Sequence, residues 1–92
     1  MIRHKDYLRK QLKNPRFKET YERELFIVRV SERIARLRER KGMTQEALAK
    51  RLGVKASMVS RIEAGRQNLT LESLHRIARA LSTRVRVEIG VS

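Results

Sequence analysis

The sequence contains no cysteine, which excludes disulfide cross-links and thiolate metal sites and agrees with a reducing cytoplasm. No apolar run approaches the roughly 20 residues that a membrane span needs. The first residues carry a charge every two or three positions, which excludes the apolar region of a signal peptide. These absences predict a soluble, cytoplasmic protein without a membrane partner.

Acidic residues are scarce, because 10 Asp and Glu stand against 23 Lys and Arg, and the formal net charge is +13. Such a surplus attracts phosphate backbones, which supply the sequence-independent part of nucleic-acid affinity. A well-solvated protein with a basic surface is the alternative interpretation. The carboxylates are scattered beside basic residues, and His4 and His75 stand alone. We therefore expect no catalytic residues, no metal site, no cofactor and no enzymatic activity, including that of a nuclease.

Proline occurs once and glycine four times, and these residues divide the chain into helices. Pro15 predicts a helix that begins after Asn14 as N-cap, continues through a helical apolar pattern from Phe17 to Lys41, and ends at Gly42. The segment Leu25–Val28 is apolar all round, which predicts burial on more than one side or an interface. Three further helices are predicted at about Gln45–Leu52, Ala56–Ala64 and Leu71–Leu81, the first and last capped by Thr44 and Thr70.

The apolar spacing within these helices predicts one small core. Gly53 supplies the turn between the second and third helices, and Val54 is expected to fill its corner. The side chains expected to face inward are Leu48, Ala49, Leu52, Val59, Ile62, Leu74, Ile77, Ala78 and Leu81.

The pattern changes near the C-terminus, where "RVRVEIG" alternates strictly. Val85, Val87 and Ile89 share one face, which is typical of a β-strand. A lone strand in a helical chain leaves an unpaired edge, and the same strand of a second copy is the expected cover. The sequence therefore predicts a homodimer that pairs through residues 83–92.

The stretch "TQEALAKRLGVKASMVSRIEAG", from Thr44 to Gly65, predicts two short helices joined by a tight turn. In a basic chain this is a helix-turn-helix arrangement. Its second helix must enter a major groove roughly 12 Å wide, and the first helix braces it against the backbone.

The segment Arg38–Leu81 is similar to the Cro/CI-like (XRE) family of bacterial and phage DNA-binding regulators. The Thr-Gln pair, the Leu-Ala pair, the Gly-Val turn and the Ser-Arg-Ile-Glu run carry the resemblance. It implies a mainly α, lambda-repressor-like bundle of about five helices that binds operator DNA as a dimer. We expect an N-terminal helical arm at 1–26, a helix-turn-helix domain at 27–82 and a dimerisation strand at 83–92 in place of the usual fifth helix.

The resemblance also implies roles for individual residues. Arg61 is the best candidate for reading sequence, since arginine forms bidentate hydrogen bonds with guanine. Arg38 and Glu63 match a buried structural ion pair of the family. The implied DNA contacts are Gln45 and Lys55 at phosphates, Ala56, Ser57, Ser60 and Arg61 at bases, and Arg66, Gln67 and Asn68 at the backbone beyond the recognition helix.

The arm "HKDYLRKQLKNPRFKETYERE" ahead of this domain, with a strand after it, resembles the HigA-type antitoxins. That likeness implies a ribonuclease toxin as partner and repression of the chain's own operon. Toxins of that class are basic, so a +13 partner would repel them outside local contacts. We predict a nucleoid-associated, sequence-specific repressor that binds operator DNA as a homodimer, with an antitoxin as the alternative.

Overall fold

The computed structural model describes residues 13–90, which form four helices. We number them α1 (Pro15–Arg40), α2 (Gln45–Leu52), α3 (Ala56–Glu63) and α4 (Leu71–Ala80). Of the predicted arm at 1–26, residues 1–12 lie outside the described residues, and the remainder runs without a break into α1. None of the helices described is long and apolar enough to cross a membrane.

Helix α1 begins and ends at the residues that the sequence predicts. The Asn14 side chain accepts a hydrogen bond from the backbone N–H of Arg16 at 3.0 Å, and Pro15 occupies the first turn. Lys41 caps the other end, and Gly42 follows with a left-handed φ of 70°. Both boundaries are set by local chemistry, which confirms the predicted helix.

The tight turn between α2 and α3 depends on Gly53. Its φ is 70°, and its N–H reaches back to the carbonyl of Lys50 at 3.2 Å. The next N–H, on Val54, donates to the carbonyl of Ala49 at 3.0 Å. This pair of bonds is a Schellman-type ending, which satisfies carbonyls at the end of α2 and turns the chain directly into α3.

The core lies where all four helices meet. Leu48 and Leu81 are 1% exposed and Val59 is fully buried, so the predicted inward-facing positions are largely confirmed. Val54, which was expected to fill the corner of the turn, is 37% exposed and therefore fills it only in part. The buried cluster consists of Ile34, Leu48, Ala49, Leu52, Val59, Ile62, Ile77 and Leu81.

The apolar segment Leu25–Val28 is divided by the helical repeat of α1. Leu25 and Ile27 are half-buried, whereas Phe26 is 67% and Val28 43% exposed. In the single chain the segment is therefore not enclosed on all sides.

The predicted C-terminal strand is absent, because residues 83–90 form no helix and no strand. Val85 is half-buried, while Val87 and Ile89 are 59% and 88% exposed. A strand needs a neighbouring strand for its backbone hydrogen bonds, and the structure shows no strand among residues 13–90. The strand predicted from the alternating pattern is therefore wrong for the single chain.

Candidate nucleic-acid interface

One side of helix α3 is buried against the rest of the domain, and the opposite side is exposed. Val59 and Ile62 face inward at 0% and 7% exposure. Ser57, Ser60 and Arg61 lie on the opposite side and are exposed. Because residues three and four apart share a helix face, these three side chains form one outward surface. The structure therefore brings together three of the four predicted base-facing residues, while the fourth, Ala56, is half-buried at the helix start.

An ion pair fixes the end of α3 to α1. Arg38 Nε donates to Glu63 Oε2 at 2.7 Å and Arg38 Nη2 donates to Glu63 Oε1 at 3.0 Å. The third guanidinium nitrogen, Nη1, donates to the carbonyl of Met43 at 2.6 Å. The side chains are only 11% and 7% exposed, so this bidentate pair is shielded from water. The hydrogen bond that Arg38 donates to Glu63 raises the pKa of Arg38 above its usual value despite the opposing effect of desolvation.

Gln45 joins the same cluster. It is the first residue of α2, and its side-chain Nε2 donates to Glu63 Oε1 at 3.1 Å. One amide donor expected at a phosphate is therefore already used within the protein. The bond ties the start of the bracing helix to the end of the recognition helix, 18 residues away in sequence.

The N-terminus of α3 differs from those of the other helices described. Asn14, Thr44 and Thr70 each accept a backbone N–H of the helix that they cap. Lys55 occupies the same position before α3, with extended backbone angles, and its side chain makes no capping bond. The first amide groups of α3 thus lack a side-chain cap beside an exposed cation, an arrangement suited to an anionic oxygen.

The loop after α3 carries the remaining predicted contacts. Gly65 begins it with φ 73°, and the N–H of Arg66 donates to the carbonyl of Arg61 at 2.9 Å. Arg66 and Asn68 are exposed, whereas Gln67 is half-buried. The predicted backbone-contacting residues therefore continue from the C-terminal end of the recognition helix.

Two arginines with structural roles were missed from sequence. Arg51 of α2 donates to the carbonyl of Ala80 at the end of α4 at 2.9 Å. Arg76 of α4 donates to the carbonyl of Leu52 at the end of α2 at 3.1 Å. The two helices thus neutralise each other's C-terminal carbonyls. The basic last turn of α2 was the only sequence signal for the Arg51 contact. The carbonyl that Arg51 binds belongs to Ala80, 29 residues further along the chain.

Within residues 13–90, no three His, Asp or Glu side chains come together as a metal site requires. The interface consists instead of a clamped helix, an uncapped helix N-terminus with a lysine, and a basic loop. Such an arrangement offers hydrogen bonds and positive charge to a duplex.

These features define a helix-turn-helix protein. The helix-turn-helix family HTH_3 matches residues 34–87, and the chain belongs to this family. The match confirms the resemblance that Arg38–Leu81 shows to the Cro/CI-like (XRE) regulators.

The chain is similar to proteins named as regulators. It is 40% identical over 53 residues to an uncharacterised HTH-type transcriptional regulator of Archaeoglobus fulgidus, covering 58% of this chain and 76% of that one. It is 42% identical over 52 residues to the regulator y4dJ of Sinorhizobium fredii, covering 56% and 68%. In structure it is similar to the restriction-modification controller protein C.AhdI of Aeromonas hydrophila. The TM-score is 0.62 at 33% identity, over 66% of this chain and 88% of that one.

The predicted HigA-type branch receives no support from these similarities. None of the relatives named above is described as an antitoxin. The matched family segment begins at residue 34, so the arm that suggested this branch lies outside it.

Proposed function

We propose that the chain is a DNA-binding transcriptional regulator that recognises an operator as a homodimer and acts as a repressor. The observation that carries the proposal is the orientation of α3, whose Val59 and Ile62 side is buried while Ser57, Ser60 and Arg61 face outward. Two similar proteins are named as transcriptional regulators, which supports the same function.

On this proposal, Arg61 reads bases and its neighbours hold the duplex. Arg61 pairs with a guanine, and the two serines and the Ala56 methyl group make less selective contacts. Positioning on the phosphates comes from Gln45, Lys55 and the loop residues Arg66, Gln67 and Asn68. Because few side chains here discriminate among bases, duplex shape contributes to selectivity.

Arg61 provides the direct test of base recognition. A binding site is selected from a random duplex library, and affinity for it and for a scrambled duplex is measured by fluorescence anisotropy. Arg61→Ala is expected to reduce the ratio of the two affinities by about 10- to 100-fold, the usual value of one bidentate base contact. Arg79→Ala, which replaces an exposed arginine of α4 outside the interface, is the matched control. An equal loss on both duplexes with Arg61→Ala would remove its assigned role.

The homodimer is supported by the exposed apolar side chains at the C-terminus. Val87 and Ile89 project from a segment whose backbone has no partner strand among the residues described. Pairing between two copies would bury these side chains and supply the missing hydrogen bonds. A two-fold dimer then binds half-sites one helical turn apart, about 34 Å.

Sedimentation velocity tests this assembly. The wild-type chain is expected to sediment as a dimer and the double variant Val87→Asp with Ile89→Asp as a monomer. The control variant Thr20→Asp with Ser82→Asp adds the same charge at exposed polar positions outside residues 83–92. A fully dimeric Val87→Asp, Ile89→Asp protein would place the interface elsewhere.

Repression itself is tested with a promoter reporter. The selected site is placed across the promoter, and expression of the wild-type chain is expected to lower reporter output in a manner that Arg61→Ala abolishes. Increased output would identify an activator instead.

A further inference from the structure

We propose that α1 carries a second, sequence-independent DNA-binding surface, with which the protein bridges two duplexes. The surface consists of four arginines, which we call the arginine stripe: Arg29, Arg33, Arg36 and Arg40. All four are exposed. This inference goes beyond the proposed function, which requires only the duplex on α3.

The inner side of α1 faces α3 and the loop that follows it. Ser31 and Ile34 are buried at 2% and 6% exposure, and Arg38 holds Glu63. Ile27 lies on the same line, since a side chain at Gly65 would come within 3.7 Å of it. Four positions, spaced by four, three and four residues, therefore form the inner line of α1.

The arginine stripe lies on the reverse side of this helix. Each of its arginines follows a member of the inner line by two residues, as Arg33 follows Ser31 and Arg36 follows Ile34. Two residues of an α-helix correspond to a rotation of about 200°. The arginines therefore point away from α3, with the body of α1 between them and the recognition helix.

The guanidinium groups of the stripe form no ion pair among residues 13–90. No Asp or Glu oxygen of these residues lies within 4.0 Å of them, and none of them donates a hydrogen bond to another residue described. Arg38, Arg51 and Arg76, in contrast, are each bound to a carboxylate or a carbonyl. The stripe thus differs from the arginines that serve the fold.

The dimensions of the stripe suit a phosphate backbone. Arg29 and Arg40 are separated by about 16 Å along the helix axis at 1.5 Å per residue. That length equals about five base-pair steps of 3.4 Å. Arginine forms bidentate bonds with phosphate oxygens, and four such contacts on one face favour a duplex over an isolated anion.

The stripe and the recognition surface lie on different helices. Ser57, Ser60 and Arg61 are on the exposed side of α3, whereas the stripe is on the side of α1 that faces away from α3. The stripe, including Arg29, Arg33 and Arg36, therefore contacts a different segment of DNA. A protein bound to its site through α3 can bind a second duplex through the stripe.

A bridging assay tests this inference. A duplex with the selected site is fixed to beads, the protein is bound, and capture of a fluorescent duplex without that site is measured. The variant Arg29→Gln, Arg33→Gln, Arg36→Gln is compared with the wild-type chain. Loss of three phosphate contacts is expected to lower capture by about tenfold or more, and wild-type capture is expected to fall steeply with salt. Affinity for the fixed duplex, measured separately by anisotropy, is expected to change by no more than about threefold, since these residues face away from it.

The matched control is Arg16→Gln, Arg23→Gln, Arg79→Gln, which removes the same charge from exposed positions outside the stripe and outside the proposed dimerisation segment. Equal losses in the two triple variants would reduce the effect to bulk charge and overturn the proposal. So would undiminished capture by the stripe variant, which would assign bridging to the two recognition helices of a dimer. Preferential, stripe-dependent capture of an RNA duplex would also overturn it. Failure to bind the fixed duplex would instead contradict the proposed function.

Discussion

Gln45 and Glu63 connect the two ends of the helix-turn-helix: Nε2 of Gln45 donates to Oε1 of Glu63 at 3.1 Å. The same oxygen accepts a hydrogen bond from Arg38 at 3.0 Å. The start of α2, the end of α3 and the end of α1 therefore share one carboxylate. Because the cluster is only slightly exposed, it fixes the angle at which the recognition helix is presented.

Replacement of Gln45 is expected to destabilise the protein as well as weaken DNA binding. Gln45→Ala removes one hydrogen bond to a charged group, which is worth about 1.5 to 3 kcal/mol. Urea unfolding of the wild-type and variant chains measures this loss. A variant with unchanged stability and reduced DNA affinity would show that the amide serves only the duplex.

The Arg38–Glu63 pair predicts that single and double replacements behave differently. Arg38→Met leaves a carboxylate that is 7% exposed without its cation, so the free energy of unfolding is expected to fall by about 3 kcal/mol. Adding Glu63→Met removes that stranded charge, and the double variant is expected to be more stable than Arg38→Met alone. Urea unfolding of Arg38→Met, Glu63→Met and the double variant tests this order, which a strictly additive loss would contradict.

Much of the fold was predictable because helix ends depend on local chemistry. Asn14, Thr44 and Thr70 cap the helices that they precede, and Gly53 adopts the left-handed conformation that its turn requires. Such signals act over three or four residues and are visible in one sequence. The outward side of α3 followed from the spacing of Val59 and Ile62 in the same way.

The contacts between residues that are distant in sequence were harder to predict. The pattern of the sequence did not indicate that Gln45 is shared with Glu63, nor that Arg51 binds the end of α4, since both depend on how the helices pack. The strand expected at Val85–Ile89 shows a related limit. Alternation describes the side chains, whereas a strand also needs a partner for its backbone.

The glycine after α3 is expected to be replaceable at modest cost. A Cβ at Gly65 would meet Ser31 Oγ at 3.6 Å, which is an ordinary van der Waals contact, and one at Gly53 would meet nothing within 4 Å. Both residues have φ near 70°. Gly65→Ala and Gly53→Ala are therefore each expected to lower the free energy of unfolding by about 1 to 2 kcal/mol through backbone strain. Thermal unfolding compares them, and a much larger loss for Gly65→Ala would reveal steric crowding at α1.

Ser31 predicts a stabilising substitution. The residue is 2% exposed, and its Oγ forms no hydrogen bond with any of residues 13–90. Burial of an unpaired hydroxyl costs about 1 kcal/mol or more, so Ser31→Ala is expected to raise the free energy of unfolding by roughly that amount. Urea unfolding measures the change, and Ser73→Ala, a half-buried serine whose Oγ is bonded to Thr70, is the contrasting variant expected to lose stability. A loss for Ser31→Ala would mean that its hydroxyl is satisfied in solution.

Replacement of Lys55 by serine is expected to raise the stability of the protein and to lower its affinity for DNA. It precedes α3 with φ −77° and ψ 150° but provides no cap, so Lys55→Ser can supply the missing bond and stabilise the helix by about 0.5 to 1 kcal/mol. The same change removes a cation beside the uncapped amide groups. DNA affinity is therefore expected to fall, and the slope of log K against log salt to shrink by about 0.9, which corresponds to one phosphate. Lys13→Ser, at an exposed position outside the helices, is the control. Unfolding and anisotropy measurements on both variants test whether stability rises while DNA affinity falls. A Lys55→Ser protein that gains stability but keeps its full affinity and salt slope would show that no phosphate lies at this helix end.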